Sequence, residues 1–568
     1  MSEVKVALLA VAMLTMGLSG CIGTGEDLEE QRVDDVGEDA VDSTNGWSTP
    51  TEPRRYEILP GIEASFTSFD DTEISVGVFL PDKPACDWNA SEQPEECQLP
   101  VVIDAGPYWG DGEEDKSFRP PLVEWLVPRG YAVLHMSVRG TGESGGCMEF
   151  MSQAEQADVD ETITWAAKQA WSNGNVGMMG RSYDGTTPLM GAASGNENLE
   201  TIVPISGVFS VPDLMFKNGT SETRGPIMHS VVYWGLFGMG AIYGAEAADF
   251  RAEHWAEQAC EEVVVGQAQG GYATATGDAS DEYWQVRDFT EPILENYNGS
   301  VWVVHGMQDW NVNPSQAIPF YQAMEEDPDI ETKAWFGQWD HAYPDRVDEH
   351  RNVRWDWADR TLAWFDHYLK EDEQAPTPDL TVEVEDSLYV WRTEDTYPPE
   401  DAEPTTHETD LSGTVAANNA VSWTSEPLDE NVRVAGLPSV EVTATPTTTE
   451  GGWVFAELYD VYPDGVSMRV GWGALNLAYH EGGNTDPATL TPGQPIETEI
   501  TFEPMDAHIG EDHRLRLVLH KDGVEDIPQS PDPSPVTVDD VNLVMPQIDR
   551  DETLAEPTPP GLNDMEVR

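Results

Sequence analysis

Basic side chains are scarce in this chain of 568 residues, which carries 29 lysines and arginines against 105 aspartates and glutamates. The formal net charge of −76 excludes a nucleic-acid binder, because neutralising phosphates requires lysine and arginine. The acidic residues run through segments that otherwise read as folded, so disordered acidic tails do not account for them. We therefore expect a protein adapted to high salt, in which counterions screen the self-repulsion.

Cysteine and histidine are also scarce, with five and 12 copies in the chain. Without a C-x-x-C pair or a histidine-rich motif, the sequence offers little support for a zinc site, and we expect no metal and no cofactor. Cys86 and Cys97 flank a short polar loop, and in an exported protein this spacing predicts a disulfide. Cys147 and Cys260 either pair or stay free.

The first residues combine a short apolar run, VALLAVAMLTMG, with the sequence LSGC. The run is too short for a comfortable membrane span and is typical of a signal peptide. LSGC resembles a lipobox, which predicts a lipoprotein signal peptide over residues 1–21 and lipidation of Cys21; the alternatives are an ordinary secretory signal or an uncleaved anchor. Residues 22–50 then read as an acidic flexible tether, so we expect a lipid-anchored protein on the extracellular face of the cell membrane.

Strand and helix patterns alternate over residues 51–210 and again over 292–375. Short apolar runs such as LPVVIDAG, YAVLHMSV and NVGMMG alternate with helical segments, which predicts an α/β fold with a parallel sheet covered by helices on both faces. Residues 211–291 interrupt this pattern without a clear strand and predict a helical cap over the carboxyl ends of the strands. From 376 to 568, short alternating segments between turns predict an all-β domain, either a sandwich or a jelly roll.

Two serines resemble the nucleophile of a serine hydrolase: Ser144 in GESGG and Ser182 in GRSYDG. Only Ser144 fits G-x-S-x-G strictly, because Gly185 lies three residues after Ser182. A nucleophile elbow also needs an entering strand and a leaving helix, and Ser182 has both, in NVGMMG and TTPLMGAASG. Ser182 is therefore the predicted nucleophile, and Ser144 is expected to lie in a glycine-rich loop beside the active site.

A serine nucleophile needs a histidine base, and the histidine needs an acid that holds its tautomer. In this type of fold the chain order is serine, acid, histidine, with the last two in loops after late strands. Asp309 follows the strand SVWVVHG and His341 follows TKAWFGQ, so they are the predicted acid and base. His305 is the main rival base, and Asp340 is the rival acid.

Two donors are predicted for the oxyanion hole. One is the backbone N–H of Tyr183, which follows the nucleophile, and the other is the hydroxyl of Tyr108 in DAGPYWG. Three aromatic side chains near these motifs, Trp109, Trp310 and Trp339, either line an apolar substrate pocket or belong to the core.

Together these residues resemble the Xaa-Pro dipeptidyl-peptidase family of serine hydrolases, which also includes cocaine-esterase-like and acylase members. The matching pieces are GPY at 106–108, VRGTGESGG at 138–146, WSNGNVGMMGRSYDGTTP at 171–188, HGMQDWNVNP at 305–314 and WDHAYP at 339–344. The family places its nucleophile in G-x-S-Y-x-G, which is the spacing of GRSYDG. The resemblance implies an α/β-hydrolase core, a helical cap and a C-terminal jelly roll.

The same resemblance implies the triad Ser182, Asp309 and His341, with Tyr108 and the Tyr183 amide as the oxyanion hole. It also implies release of N-terminal Xaa-Pro dipeptides from small peptides. An esterase or acylase acting on small acyl substrates is the alternative, and a surface binding lipoprotein that has lost the chemistry is the second alternative.

Overall fold

The computed structural model describes residues 47–109, 121–222, 233–239, 251, 253–260, 263, 279, 282–346, 354–370, 375–525 and 527–549. The predicted signal peptide with Cys21, nearly all of the tether and much of the predicted cap lie outside these residues. Within the described ranges, no helix is both long enough and apolar enough to cross a membrane.

A ten-stranded sheet forms the core of the N-terminal domain, and the first and fourth strands of the chain form a separate two-stranded sheet. The strands are, in chain order, β1 (Glu57–Ile58), β2 (Ile62–Thr67), β3 (Glu73–Phe79), β4 (Pro81–Asp82), β5 (Leu99–Gly106), β6 (Ala132–Ser137), β7 (Ser172–Arg181), β8 (Leu199–Ile205), β9 (Ser300–Gly306), β10 (Glu331–Gly337), β11 (Val382–Glu385) and β12 (Trp391–Glu394). Their order across the large sheet is β12-β11-β10-β9-β8-β7-β5-β6-β3-β2. The strands from β5 to β11 pair in parallel, and the edge strands β2, β3 and β12 are antiparallel.

Helices cover both faces of this sheet, as the alternating pattern predicts. They are α1 (Leu122–Leu126), α2 (Gln153–Ala167), α3 (Tyr183–Ser194), α4 (Val211–Met215), α5 (Glu282–Gln285), α6 (Thr290–Asn296), α7 (Pro314–Glu326) and α8 (Trp357–Leu369). Successive residues of a strand point to opposite faces, so Val101 and Ile103 join one hydrophobic cluster with α2, α3 and α7. Val102, between them, joins a second cluster with α1 and α8. The carboxyl ends of the parallel strands meet along one edge of this sheet, whose central strands are buried by helices on both faces.

The C-terminal domain consists of two antiparallel sheets of seven and four strands. Its strands are β13 (Ala402–Glu408), β14 (Gly413–Val415), β15 (Val421–Thr424), β16 (Val432–Gly436), β17 (Ser439–Pro446), β18 (Trp453–Val461), β19 (Ser467–Asn476), β20 (Ile496–Thr501), β21 (Met505–Ile509), β22 (Arg514–His520) and β23 (Val536–Ile548). Alternate side chains of both sheets, among them Val440, Leu458, Leu517 and Leu543, form one hydrophobic cluster. This packing of two sheets agrees with the predicted all-β domain.

The structure corrects the predicted domain boundary at 376. The strand Val382–Glu385 pairs in parallel with β10, and Trp391–Glu394 pairs with it in turn. Both strands therefore extend the sheet of the N-terminal domain, and the C-terminal sheets begin only at β13. Short alternating segments look the same in either sheet, because the choice of partner strand depends on the tertiary fold.

Two disulfides link the four cysteines that the structure describes. Cys86 is joined to Cys97, as the loop spacing predicts. Cys147 is joined to Cys260, a pairing that the sequence leaves open. The second bridge ties the glycine-rich loop after β6 to the helical cap, across 113 residues of sequence.

Candidate active site

Ser182 occupies a sharp turn between β7 and α3. Its backbone is in the left-handed region, with φ of 66° and ψ of −123°, a conformation that is costly for a residue with a side chain. Its amide donates to the carbonyl of Ile205 at 3.0 Å, which fixes the turn against the next strand. A Cβ on Gly180 would lie 2.5 Å from the carbonyl oxygen of Asp184, and one on Gly185 would lie 2.5 Å from that of Ile205. Both glycines are therefore required for the turn.

The unusual spacing of this elbow has a structural cause. The position two residues after Ser182 is occupied by Asp184, whose side chain is only 3% exposed. A Cβ on Gly106, at the end of β5, would lie 1.5 Å from the Asp184 carboxylate. The glycine that makes room for this side chain thus lies on the neighbouring strand.

Asp309 and His341, the predicted acid and base, are hydrogen-bonded to each other. The Nδ1 atom of His341 donates to Oδ2 of Asp309 at 2.8 Å, and the amides of Asn311 and Val312 both donate to Oδ1 at 2.8 Å. Burial acts to raise the pKa of Asp309, but attraction to His341 and these hydrogen bonds hold it below its usual value. Asp309 is therefore ionised at neutral pH, and it holds the proton of the imidazole on Nδ1. The Nε2 atom is left as the basic nitrogen.

The loop of His341 is held directly against the turn of Ser182. Arg181, the residue before the nucleophile, donates to the backbone carbonyl of His341 at 3.0 Å, and its guanidinium lies 5.0 Å from the centre of the Tyr343 ring. The Nε2 atom of His341 is buried and has no hydrogen-bond partner among the described residues, Ser182 included. In resting hydrolases such contacts are often long and tighten only when substrate binds.

The N-terminal segment holds the same loop from the opposite side. The backbone and hydroxyl of Ser48 donate to Asp345 at 3.0 and 2.7 Å, and the Ser48 hydroxyl accepts from the amide of Ala358 at 3.1 Å. Trp47 packs edge-on against Tyr343 with 5.3 Å between ring centres. Burial raises the pKa of Asp345 to about 7, with the Ser48 hydrogen bonds opposing the shift. Trp47 and Ser48 thus contact the loop that carries His341.

The rival base and acid both lie close to Asp309: Nε2 of His305 is 3.7 Å from Oδ2 of Asp309, and the charge of Asp309 acts on Asp340. His305 is fully buried, its Nε2 donates to the carbonyl of Val312 at 2.8 Å, and burial lowers its pKa. It therefore supports the loop of Asp309 as a neutral ring. The carboxyl of Asp340 is half-buried, and burial together with repulsion from Asp309 raises its pKa. The Nδ1 atom of His341 is held by Asp309 rather than by Asp340.

Ser144 lies in the loop after β6, as predicted, and its hydroxyl is used for structure. The Oγ atom donates to the carbonyl of Ser137 at 2.6 Å and accepts from the amide of Ser75 at 2.9 Å. Its side chain is fully buried. Arg251 of the cap donates to the Ser144 carbonyl at 2.8 Å, and His254 donates to that of Gly146 at 3.1 Å. The glycine-rich loop therefore binds the cap through its backbone carbonyls.

The two residues predicted for the oxyanion hole lie on either side of one cap residue, Tyr233. The Tyr108 hydroxyl is 3.1 Å from that of Tyr233, and the rings of Tyr183 and Tyr233 are 5.4 Å apart. Tyr183 is the first residue of α3, so its backbone N–H has no partner within the helix. The positive end of the helix dipole at this position stabilises negative charge on a bound group. The sequence gives no sign that Tyr233 reaches the site, because its position depends on how the cap folds back.

The side chain of Tyr183 points into the protein, where it fixes a strained segment. Its hydroxyl donates to the buried carboxylate of Glu155 and accepts from the amide of Met151 at 3.1 Å. Phe150 and Met151 both have positive φ, of 53° and 60°. The ring of Phe150 is thereby turned towards Tyr233, with 5.5 Å between the ring centres. Sequence reasoning misses this arrangement, since Glu155 reads as an ordinary residue of the first turn of α2.

The three tryptophans of the predicted pocket lie in different surroundings. Trp339 is 1% exposed and packs against Trp391, so it belongs to the core, one of the two alternatives that the sequence leaves open. Trp109 is 5% exposed and stacks on His135 at 3.7 Å. Trp310 is 52% exposed and, with Asp309, lines a cavity of about 190 Å³ bordered by the C-terminal domain.

Comparison with known proteins assigns both domains. Residues 70–343 match the model of the X-Pro dipeptidyl-peptidase (S15 family), and 414–543 match that of the X-Pro dipeptidyl-peptidase C-terminal non-catalytic domain. A Streptomyces avermitilis protein named "Putative Xaa-Pro dipeptidyl-peptidase" is 26% identical over 74% of this chain and 73% of its own length. A Bacillus anthracis protein with the same name is 30% identical over 49% of this chain, which spans only 45% of that relative.

Solved structures show the same fold. An aminopeptidase from a marine-sediment Thaumarchaeota archaeon superimposes with a TM-score of 0.66 and 16% identity, over 92% of this chain and 100% of the other. A CocE/NonD family hydrolase from Staphylococcus aureus gives a TM-score of 0.65 and 17% identity, over 86% of this chain and 93% of the other. The elbow, the acid–base pair and the two matched domains lead to one assignment: the chain belongs to the X-Pro dipeptidyl-peptidase (S15) family and is a serine hydrolase.

Proposed function

We propose that this enzyme releases Xaa-Pro dipeptides from the free N-termini of peptides, through an acyl-enzyme formed on Ser182. The observation that carries the proposal is the Asp309–His341 hydrogen bond, held against the turn of Ser182 by Arg181. This arrangement supplies an ionised acid, a histidine with a basic Nε2 and a serine in a strained elbow. Those are the parts that acyl transfer by a serine hydrolase requires.

The chemical steps follow from the placement of the groups. The Ser182 oxygen attacks the carbonyl carbon of the proline residue, and its proton passes to Nε2 of His341. When the C–N bond breaks, His341 returns that proton to the leaving amine, and the dipeptide stays bound to Ser182 as an ester. A water molecule then repeats the sequence and releases the dipeptide. Asp309 remains ionised throughout and stabilises the imidazolium.

The Tyr183 amide and the Tyr108 hydroxyl act as the donors to the oxyanion. The contact of both residues with Tyr233 supports their placement on one side of the elbow. We expect Tyr108→Phe to lower kcat by roughly 10²–10³-fold with KM little changed, because the donor acts on charge that develops only in the transition state. Steady-state kinetics on one ester and one anilide measure this, and an unchanged kcat would contradict the assignment of Tyr108.

The choice of substrate rests on the family and on the aromatic character of the site. The partly exposed rings of Tyr108 and Tyr233 pack on the buried rings of Phe150, Tyr183 and Phe237. Such aromatic surroundings suit an apolar ring such as that of proline.

Three substrates test this choice: Gly-Pro-anilide, its N-acylated form and a butyrate ester. Cleavage restricted to the free-amine peptide supports the dipeptidyl-peptidase. A preference for the ester would instead identify an esterase acting on small acyl groups.

We also propose that the enzyme is exported and held at the extracellular face of the membrane by lipid on Cys21, with residues 22–50 as the tether. The LSGC sequence and the polar, acidic composition of residues 22–50 support this proposal. Partition of the full chain into the detergent phase of a cloud-point extraction tests it. Cys21→Ser should shift the protein to the aqueous phase, and equal partition of the two forms would contradict lipidation.

The charge of −76 supports a further proposal, that the folded enzyme requires high salt. Screening of the acidic side chains should raise Tm by several degrees between about 0.1 M and 3 M KCl, as the Debye length falls from roughly 10 to 2 Å. Differential scanning calorimetry measures the shift, with sucrose as a control that is excluded from the surface but does not screen charge. A Tm that does not rise with KCl would contradict adaptation to salt.

A further inference from the structure

In the described part of the cap, the hydroxyl of Tyr233 contacts that of Tyr108, the proposed oxyanion donor. The Oη atoms of Tyr233 and Tyr108 are 3.1 Å apart, which is hydrogen-bonding distance. Phe237, one helical turn further along the cap, packs edge-on against the Tyr108 ring at 5.0 Å. Tyr233 also contacts the rings of Tyr183 and Phe150. With Phe237 at 5.3 Å, three aromatic rings pack against Tyr233, and its hydroxyl meets that of Tyr108.

The direction of this hydrogen bond matters for catalysis. A phenol hydroxyl has one proton to donate and lone pairs that accept. If Tyr108 donated to Tyr233, its only proton would be turned away from the substrate. If Tyr233 donates to Tyr108, the Tyr108 proton is not used in this hydrogen bond and can be directed at the oxyanion. Negative charge on the substrate oxygen favours the second direction, and a chain of two such bonds polarises the hydroxyl in the middle.

We propose that Tyr233 is a positioning residue for the hydrolysis: by donating to Tyr108, it directs the Tyr108 hydroxyl at the oxyanion. The cap is then part of the catalytic machinery as well as a cover for the substrate. This inference rests on the proposed role of Tyr108 as an oxyanion donor.

Kinetics of Tyr233→Phe, which keeps the ring and removes only the hydroxyl, test the inference. We expect kcat to fall by roughly three- to tenfold, the effect of losing one neutral hydrogen bond, with KM changed less than about twofold. The double variant Tyr108→Phe/Tyr233→Phe should be no slower than Tyr108→Phe alone, because the Tyr233 hydroxyl acts only through that of Tyr108.

Tyr297→Phe is the matched control. Its buried hydroxyl donates to the carbonyl of Ser300 at 3.1 Å. Ser300 is the first residue of β9, whereas Asp309 follows the last residue of that strand. This variant should lower Tm and leave kcat unchanged, which separates loss of a buried hydrogen bond from loss of catalysis.

The possible outcomes distinguish the inference from the proposed function. An unchanged kcat in Tyr233→Phe, with Tyr108→Phe impaired, overturns the role of Tyr233 alone. The role of Tyr233 is also overturned if the loss of kcat in the double variant equals the product of the two single losses. A change in KM of Tyr233→Phe without a change in kcat overturns it as well. An unimpaired Tyr108→Phe overturns the oxyanion assignment itself.

Discussion

Replacing Ser182 with alanine is expected to lower kcat by roughly 10⁴–10⁶-fold on peptide and ester substrates alike. The variant has no nucleophile to form the acyl-enzyme, although the oxyanion donors and the binding surface remain. A Cβ is retained at the strained turn, so folding should be preserved. Initial rates with Gly-Pro-anilide and a butyrate ester, together with Tm, measure the two effects separately.

Ser144→Ala is the matched control for this experiment. The Ser144 hydroxyl is hydrogen-bonded to Ser137 and Ser75 in the loop that contacts the cap. Its loss should therefore lower Tm, while kcat stays within about threefold of the parent enzyme. Full activity of Ser182→Ala would instead point to another nucleophile. A parent enzyme without activity on any acyl substrate would favour a binding protein that kept the fold and lost the chemistry.

Replacing Asp309 with asparagine is expected to lower kcat by roughly 10⁴-fold near neutral pH. The ionised carboxylate keeps the imidazole proton of His341 on Nδ1. An asparagine amide can donate to that nitrogen, which stabilises the tautomer with its proton on Nε2, where the base is needed. The lost negative charge also leaves the imidazolium without its partner. A pH–rate profile of the variant on the ester measures the effect.

Asp340→Asn is the control for the choice of acid, since Asp340 directly precedes His341 in the chain. Because His341 is hydrogen-bonded to Asp309, this variant should keep kcat within about threefold of the parent value. A larger loss in Asp340→Asn than in Asp309→Asn would contradict the assignment.

Much of the fold and of the candidate triad could be predicted from local sequence. The strand before Ser182 and the helix after it can both be recognised from short stretches of sequence. They identify Ser182 as the nucleophile more reliably than the strict G-x-S-x-G match identifies Ser144. Asp309 and His341 follow apolar strands in the order that the elbow requires. These features depend on neighbours along the chain, so they remain visible without the tertiary structure.

Features that depend on distant partners could not be predicted. The indole of Trp339 lies over Gly337, where a Cβ would come within 1.6 Å of the ring, and it packs on Trp391 more than 50 residues away. Its position near His341 in the sequence is compatible with either a pocket or the core. Tyr233 reaches Tyr108 across 125 residues, and nothing in the composition of the cap distinguishes it from other aromatic residues there. The partner strand of Val382–Glu385 is equally a property of the folded sheet.

The most direct test of the account is to label the active serine. The parent enzyme is incubated with a sulfonyl fluoride until activity is lost, then digested, and the modified peptide is identified by mass spectrometry. We expect one adduct, on Ser182, that forms in step with the loss of activity and is missing from Ser182→Ala. An adduct on Ser144, or inactivation with Ser182 unmodified, would contradict it.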